Sequence, residues 1–244
     1  MTSAKRLNVA TVTLTSLSVL RTYQRLYATF GPQHWWLAAT AVEMVIGAIL
    51  VQHSTWMSCE RAIAQLKQRG ALTTQGIAEL PLSDLEAILR STGYFRQKAR
   101  RLQVVVAYLA KRYGDQLQGM RLEHPETLRA ALLEINGIGQ ETADGIMLYA
   151  AQRATIVLDT YTLRIAERLG WIDVGDKLGN TRLRNRMVAA LPADPVLLNE
   201  FHALLVELGK QVCKPKPRCT VCSLATYCPS ARPKPMSNNP AHLN

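Results

Sequence analysis

A glycine-rich turn is followed, twenty residues later, by one isolated acidic residue. The turn is Asn136-Gly137-Ile138-Gly139, and it joins two apolar, alanine-rich runs with helical spacing. Because glycine has no side chain, such a turn presents its backbone N–H groups, and the positive end of the second helix dipole points to the same place. We expect this turn to hold nucleic-acid phosphates without reading bases. The acidic residue, Asp159, precedes Thr-Tyr-Thr-Leu, so a plain helix cap is the alternative to a catalytic role.

Four of the five cysteines lie within 16 residues in the pattern C-x5-C-x2-C-x5-C: Cys213, Cys219, Cys222 and Cys228. Prolines keep this segment irregular, so the four thiols can converge on one point. Disulfide bonds are the alternative, but a basic, helical, cytosolic chain is a poor context for them. A metal centre is therefore expected. Zinc usually takes two close cysteine pairs, and the unequal gaps here favour a [4Fe–4S] cluster instead. Cys59 stands apart and is expected to be buried.

The composition favours a helical protein with a polyanionic partner. The 244 residues are 48% hydrophobic and only 6% aromatic, and no β-branched alternation is long enough for a sheet. The net charge of +11 suits nucleic acid, although a generally basic protein has the same charge. No apolar run reaches the roughly 20 residues of a membrane span, and no cleavage site follows the weakly signal-like N-terminus. We expect a cytoplasmic, nucleoid-associated protein without a membrane partner.

Two further segments carry residues suited to contact with DNA. An apolar helix ends in the polar turn Gln52-His53-Ser54-Thr55. A second turn contains Tyr94 and Phe95 and is followed by four cations, Lys98 among them. An aromatic side chain at a turn beside cations suits stacking on a base together with phosphate contact. Core packing is an equal alternative for Phe95, and an ordinary surface position is one for Gln52.

The hairpin, the following aspartate and the cysteines together resemble the helix–hairpin–helix DNA glycosylases of the endonuclease III superfamily. The resemblance implies an all-α fold in which two helical domains flank a DNA-binding cleft. The implied segments are a disordered N-terminus at 1–13, a six-helix barrel with the hairpin at 41–154, a discontinuous iron–sulfur domain at 14–40 plus 155–228, and a disordered tail at 229–244.

The resemblance also implies roles for the hairpin and its surroundings. Asp159 would stabilise positive charge on the sugar as the N-glycosidic bond breaks, or orient the attacking water. The amides of Gly137, Ile138 and Gly139 would hold DNA phosphates, with a monovalent cation bound at the hairpin. Members of the family that also cut DNA carry a lysine amine where this chain has Glu141. A carboxylate cannot form an imine, so water is the expected nucleophile.

Other residues are assigned in the same way. Gln52 and Tyr94 would fill the gap left by a base flipped out of the duplex, and Lys98 would contact the DNA backbone. Lys210, on the helical run before the first cysteine of the cluster, is the one amine that could replace the missing hairpin lysine.

Three of the four tryptophans suggest a base pocket. The tandem Trp35-Trp36 before the first barrel helix, and Trp56 four residues after Gln52, resemble the branch of the superfamily that removes alkylated purines. Such a base is cationic, and indole faces attract cations with up to about 2 kcal/mol when desolvated. Interior packing of all three is the alternative, and Trp171 is assigned to the core.

The sequence thus predicts a monomeric base-excision DNA glycosylase that acts on double-stranded DNA with a damaged base and lacks AP lyase activity. One alternative is a bifunctional glycosylase and AP lyase for oxidised pyrimidines. Another is a DNA-binding relative without catalysis. An adenine-mismatch enzyme is disfavoured, because that branch needs a glutamate near the positions of Gly47 and Ala48.

Overall fold

The protein is helical throughout the part of the chain that the computed structural model describes, residues 15–35, 38–172 and 179–231, where no β-strand occurs. This confirms the all-α fold. The α-helices of these residues are α1 Ser16–Phe30, α2 Ala41–Leu50, α3 Trp56–Gln68, α4 Thr74–Glu79, α5 Leu82–Leu89, α6 Phe95–Tyr113, α7 Pro125–Glu134, α8 Gln140–Gly145, α9 Thr160–Arg168, α10 Gly179–Ala189 and α11 Pro195–Gln211. A π-helical segment, Ile146–Ala150, continues α8 directly. Short 3₁₀ turns occupy Arg90–Thr92, Gln118–Arg121, Cys219–Val221 and Pro229–Ala231.

Threonine begins each of the first four helices. Each N-cap threonine has extended backbone dihedrals, and its hydroxyl accepts a hydrogen bond from the N–H three residues later: Thr15, Thr40, Thr55 and Thr73. Each cap satisfies one of the N–H groups that a helix start leaves unpaired, and is worth about 1 kcal/mol. The sequence therefore encodes these helix starts locally.

The apolar helix α2 lies at the centre of the packing. Eight of its ten residues are buried, and it contacts α6, α3 and the π-helical segment. Late in the chain, α11 packs against α9 and α1, and α1 also contacts α10, so the first helix lies beside the last ones. The predicted discontinuous domain requires the first helix to lie beside the last helices in this way. The division into two domains itself stays a prediction.

Lys98 lies in the interior, which corrects the expectation that it contacts DNA. Its side chain is only 3% exposed, and its ammonium donates to the carbonyl oxygens of Leu50, at 2.8 Å, and Thr92, at 2.6 Å. Burial lowers the pKa of this lysine. The ammonium joins α6 to the end of α2 and to the 3₁₀ turn Arg90–Thr92, because a backbone carbonyl in each needs a donor. A position among arginines suggested exposure, but the helix turns this one side chain inward.

Three other assignments concern the interior. Cys59 and Trp171 are buried, as predicted. Phe95 is partly buried against the core, while the guanidinium groups of Arg90 and Arg96 lie 5.9 Å and 5.5 Å from its ring centroid. Phe95 therefore packs against the core, which was the alternative to base stacking, and two cations lie over its ring.

The two ends of the chain were expected to be disordered. Residues 1–13 and 232–244 lie outside the described residues. The first residues of the expected tail, Pro229–Ala231, instead form a 3₁₀ turn, and the Ser230 hydroxyl donates to the Arg168 carbonyl at 3.0 Å. Among the described helices, none is long and apolar enough to cross a membrane.

Candidate active site

A cleft of about 760 Å³ opens between the end of α2, the hairpin helix α8, the start of α9 and the middle of α11. Its walls bring together residues that lie far apart in the sequence, and six of them were singled out from the sequence: Trp35, Gln52, Trp56, Glu141, Asp159 and Lys210. Tyr149 and His202 also line the cleft, although no sequence motif indicated them.

Asp159 both caps a helix and faces this cleft. One carboxylate oxygen, Oδ1, accepts the Thr162 N–H at 2.7 Å, which makes Asp159 the N-cap of α9. The other oxygen, Oδ2, lies 3.7 Å from Nε2 of His202. Burial alone would raise the pKa of Asp159, but His202 and the Thr162 N–H favour the anion more strongly, so the pKa lies below its usual value. The cleft therefore holds an ionised carboxylate at neutral pH.

The other carboxylate of the cleft is Glu141, in the first turn of α8. Burial raises its pKa, the negative charge of Asp159 raises it further, and His202 and His53 oppose this. A carboxylate thus occupies the hairpin position at which the resemblance expects an amine in bifunctional members. Lys210 nevertheless lines the same cleft, with its ammonium 5.9 Å from the Trp35 ring centroid.

The hairpin has one constrained glycine and one open glycine. Gly137 has a left-handed φ of +90°, and a Cβ added there would lie 2.8 Å from Cζ of Arg101. Gly139 is extended, with φ −86°, and an added Cβ would meet nothing within 4 Å. Ile138 between them is buried and anchors the turn to the core. Only Gly139 therefore leaves free space in front of α8, where the sequence predicts a phosphate.

Gln52 is bound to the hairpin side of the cleft. Its side-chain oxygen accepts from Nη1 of Arg101 at 2.7 Å, and its amide nitrogen donates to the Thr142 hydroxyl at 2.7 Å. Tyr94 is 66% exposed and its ring lies 5.9 Å from the His53 ring, which follows Gln52 in the chain. The structure thus brings the two predicted gap-filling side chains to one region. The sequence indicated Arg101 only as one of the four cations after Phe95 and did not indicate Thr142, because a basic helix and a hairpin threonine carry no pattern that pairs them with Gln52.

The described tryptophans of the predicted base pocket both line the cleft. Trp35 lies 5.3 Å from His202, centroid to centroid, with the planes tilted by 36°. Trp56 begins α3, is 36% exposed, and its Nε1 donates to Glu60 at 2.6 Å. Trp36 lies outside the described residues.

The four clustered cysteines lie at and beyond the end of α11. Burial raises the pKa of the Cys222 and Cys228 thiols, and the other thiols of the cluster add to the increase. Nη1 of Arg168 lies 3.1 Å from the Cys213 sulfur, and the Cys228 thiol donates to the Arg168 carbonyl at 3.4 Å. No group of three or more His, Cys, Asp or Glu side chains in the described ranges is arranged to hold a metal ion. The donor set still fits an iron–sulfur cluster, because a cluster on four thiolates is anionic and a guanidinium lies beside it. Cys219 supplies the fourth thiol of this donor set, together with Cys213, Cys222 and Cys228.

Comparison with known proteins gives consistent matches. A family model, HhH-GPD superfamily base excision DNA repair protein, matches residues 46–187. A Methanocaldococcus jannaschii protein, named as a candidate DNA repair glycosylase, is 37% identical over 212 residues, covering 86% of this chain and 95% of its own length. Endonuclease III of Thermotoga maritima is 27% identical over 186 residues, 76% of this chain and 81% of its own.

Solved structures show the same fold. The crystal structure of an H. pylori 3-methyladenine DNA glycosylase bound to 1,N6-ethenoadenine superposes with a TM-score of 0.68 at 25% identity, covering 81% of this chain and 98% of that one. A non-covalent endonuclease III–DNA complex superposes with a TM-score of 0.72 at 22% identity, covering 89% and 97%.

The two hairpin glycines should respond differently to alanine. Gly137→Ala is expected to lower the free energy of unfolding by at least about 1–2 kcal/mol. Alanine is strained in the left-handed backbone conformation of this position, and its Cβ would displace the Arg101 side chain. Gly139→Ala is the matched control, with an expected loss of roughly 0.5 kcal/mol at an N-cap. Chemical denaturation measures both, and equal losses at the two positions would contradict this account of the hairpin.

Proposed function

Because the chain belongs to the HhH-GPD superfamily of base excision DNA repair proteins, we propose that it hydrolyses the N-glycosidic bond of a damaged base in double-stranded DNA. The observation that carries this proposal is the ionised Asp159 carboxylate in a mostly apolar cleft with aromatic walls. The same superfamily is the one that the hairpin, Asp159 and the cysteines predicted.

In this mechanism the damaged base leaves the duplex stack and enters the cleft. The unstacking costs a few kcal/mol, least where damage has already weakened pairing. As the bond between C1′ and the base breaks, positive charge develops on the sugar, and the Asp159 carboxylate stabilises it in a poorly solvated site. Water adds to C1′, and its proton passes to Asp159 or to the departing base. The products are the free base and an intact abasic site.

The DNA contacts follow the same reasoning. The open space in front of Gly139 and the amides of Gly137, Ile138 and Gly139 suit a phosphate, with a monovalent cation at the hairpin. Gln52 and the exposed ring of Tyr94 would occupy the gap in the duplex. We propose that the protein binds as a monomer, without reading bases outside the lesion.

Glu141 supports a monofunctional enzyme. Its carboxylate occupies the hairpin position of the Schiff-base lysine and adds a second acidic group beside Asp159. The alternative is an AP lyase that uses Lys210, and one observation favours it: this amine lines the same cleft as Asp159.

We propose an alkylated purine as the lesion. Trp35 and Trp56 provide aromatic faces, and Glu141 and Asp159 are acidic groups in the same cleft, so a cationic base is attracted both by the rings and by negative charge. The Lys210 ammonium lies 5.9 Å from the Trp35 ring centroid, whereas Trp56 is 36% exposed at the start of α3. The 3-methyladenine glycosylase of similar fold, which binds a modified adenine, supports a purine pocket.

We propose further that Cys213, Cys219, Cys222 and Cys228 hold a [4Fe–4S] cluster. Such a cluster supplies one-electron redox chemistry and cross-links the loop after α11. Arg168 would balance its negative charge and attach it to α9 through the contact of its guanidinium with the Cys213 sulfur.

Asp159→Asn is expected to lower base release by at least about 100-fold, because the amide cannot balance the charge on the sugar. The assay uses duplexes with single lesions and detects strand cleavage after alkali. Binding to the same duplex should stay within about twofold of the unsubstituted protein. If both proteins are inert on every lesion while binding survives, the non-catalytic DNA-binding alternative is correct.

Trp56→Ala should reduce excision of a cationic methylated purine roughly 10- to 30-fold more than excision of a neutral lesion, as a lost cation–π contact of up to about 2 kcal/mol requires. Trp56→Phe is the matched control and should retain most of the preference. Equal losses on both lesions, or native activity confined to oxidised pyrimidines, would remove the alkylated-purine proposal.

Borohydride should trap no covalent protein–DNA adduct on lesion or abasic duplexes, because the hairpin offers a carboxylate in place of an amine. A trapped adduct would overturn the monofunctional proposal. Its loss in Lys210→Ala, with Lys111→Ala as a control at an exposed amine of α6 outside the main cleft, would identify the nucleophile.

Purified protein should be brown and contain about four iron atoms per chain. Cys219→Ser should lose the iron, whereas Cys59→Ser should keep it, because Cys59 is buried elsewhere. Stoichiometric zinc without a visible chromophore in anaerobic preparations would contradict the iron–sulfur proposal.

A further inference from the structure

Three side chains from three separate elements form a line that ends at Asp159. The Tyr149 hydroxyl, from the π-helical segment, is hydrogen-bonded to Nδ1 of His202, on α11. The opposite ring nitrogen, Nε2, is buried, lies 3.7 Å from Oδ2 of Asp159 and has no hydrogen-bond partner within the described residues. Tyr149 is 8% and His202 3% exposed.

The contacts of the imidazole favour one tautomer. Burial raises the pKa of Tyr149 well above its usual value, and the charges of Asp159 and Glu141 add to the increase. The phenol therefore keeps its proton and donates a hydrogen bond to Nδ1 of His202. With Nδ1 accepting this hydrogen bond, the ring N–H is on Nε2, facing the Asp159 carboxylate. The other tautomer would aim an unpaired electron pair at a carboxylate, which is electrostatically unfavourable.

An unpaired N–H this deeply buried is costly, roughly 1–3 kcal/mol, and Oδ2 of Asp159 is an acceptor that faces it. The distance of 3.7 Å is longer than a hydrogen bond, and a movement of less than about 1 Å would close it. Catalytic hydrogen bonds are often long without substrate and shorten when it binds.

We propose that His202, held in place by Tyr149, is a positioning residue that orients the Asp159 carboxylate and keeps it anionic while the sugar–base bond breaks. The Thr162 N–H fixes Oδ1, and the His202 N–H faces Oδ2 at 3.7 Å and would fix it once this distance closes. The Trp35 ring packs on the imidazole and limits its rotation. The kinetic part of this inference rests on the proposed glycosylase function.

Several other ionisable groups share the cleft and bear on its pH dependence. They come from the loop after α2, from α8, from the start of α9 and from α11: His53, Glu141, Tyr161 and Lys210. Glu141 adds negative charge beside Asp159 and so opposes the anion. The N–H of His202, on α11, is the contact of Asp159 that can offset this effect of the Glu141 charge.

The first test is the pH dependence of single-turnover base excision. His202→Leu should lower the rate and move the acid limb of the pH–rate profile upward by about one pH unit, since the Asp159 anion loses a donor. His202→Gln retains an N–H and should restore part of both effects. Tyr149→Phe should shift the limb in the same direction. Leu204→Ala, at a buried position of α11 outside the cleft, is the control for stability and should leave the limb in place.

The second test needs no substrate. Because the folded-state pKa of Asp159 lies below its unfolded value of about 3.9, its contribution to stability is present above that pH and is lost as the pH falls through the folded pKa. His202→Leu should make this acid loss of unfolding free energy shallower. In an Asp159→Asn background, His202→Leu should no longer change the pH dependence.

The two tests separate the two proposals. If the unsubstituted protein excises no lesion, the glycosylase function fails, while the unfolding measurement still tests His202. If it is active, and His202→Leu changes neither the acid limb nor the acid loss of stability, the His202 inference alone is overturned.

Discussion

An ionised carboxylate buried in an apolar cleft is the constraint on which the rest of this structure depends. Removing a carboxylate from water is costly unless donors replace the lost hydration. For Asp159 those donors are the Thr162 N–H, the positive end of α9 and the facing edge of His202. Helix α9 must therefore begin at this residue, and α11 must pass close enough to bring an imidazole to the second oxygen. The π-helical segment matters for the same reason, because it carries the Tyr149 hydroxyl to the far side of that ring.

The hairpin is tied to the residue expected to enter the duplex. Gln52 is bound by Arg101 on one side and by Thr142 of α8 on the other, and Arg101 in turn packs against Gly137. The left-handed glycine of the turn thus makes room for an arginine of the protein as well as presenting backbone amides. A phosphate at the hairpin and a base gap at Gln52 would therefore act on one connected set of contacts, which links DNA binding to the cleft without a long-range conformational change.

The tryptophan walls and the charges of the cleft also belong together. The Trp35 ring packs against His202, the residue that faces Asp159, and so supports it. The same ring also lies 5.9 Å from the Lys210 ammonium. Trp56 lies at the opening, with its indole nitrogen held by Glu60. In the proposed mechanism, a flipped base would enter a cleft lined by these two rings, by the acidic Glu141 and Asp159 and by the Lys210 amine.

Local signals in the sequence determined the all-helical fold, the starts of the early helices, the hairpin, Asp159 and the clustered cysteines. These depend on interactions between residues close in the chain, such as threonine caps, glycine turns and helical periodicity. The sequence by itself could not identify Tyr149 and His202, because a lone polar residue in an apolar helical run reads as core until its partner from another helix is known. Nor could it show that Lys98 points inward, since its ammonium binds one carbonyl at the end of α2 and another in the 3₁₀ turn before α6, which only the packing brings together. The candidate chemistry was therefore encoded locally. The donors that make it feasible came only from the tertiary structure, because they are contributed by helices distant in sequence whose approach depends on the burial of their apolar faces.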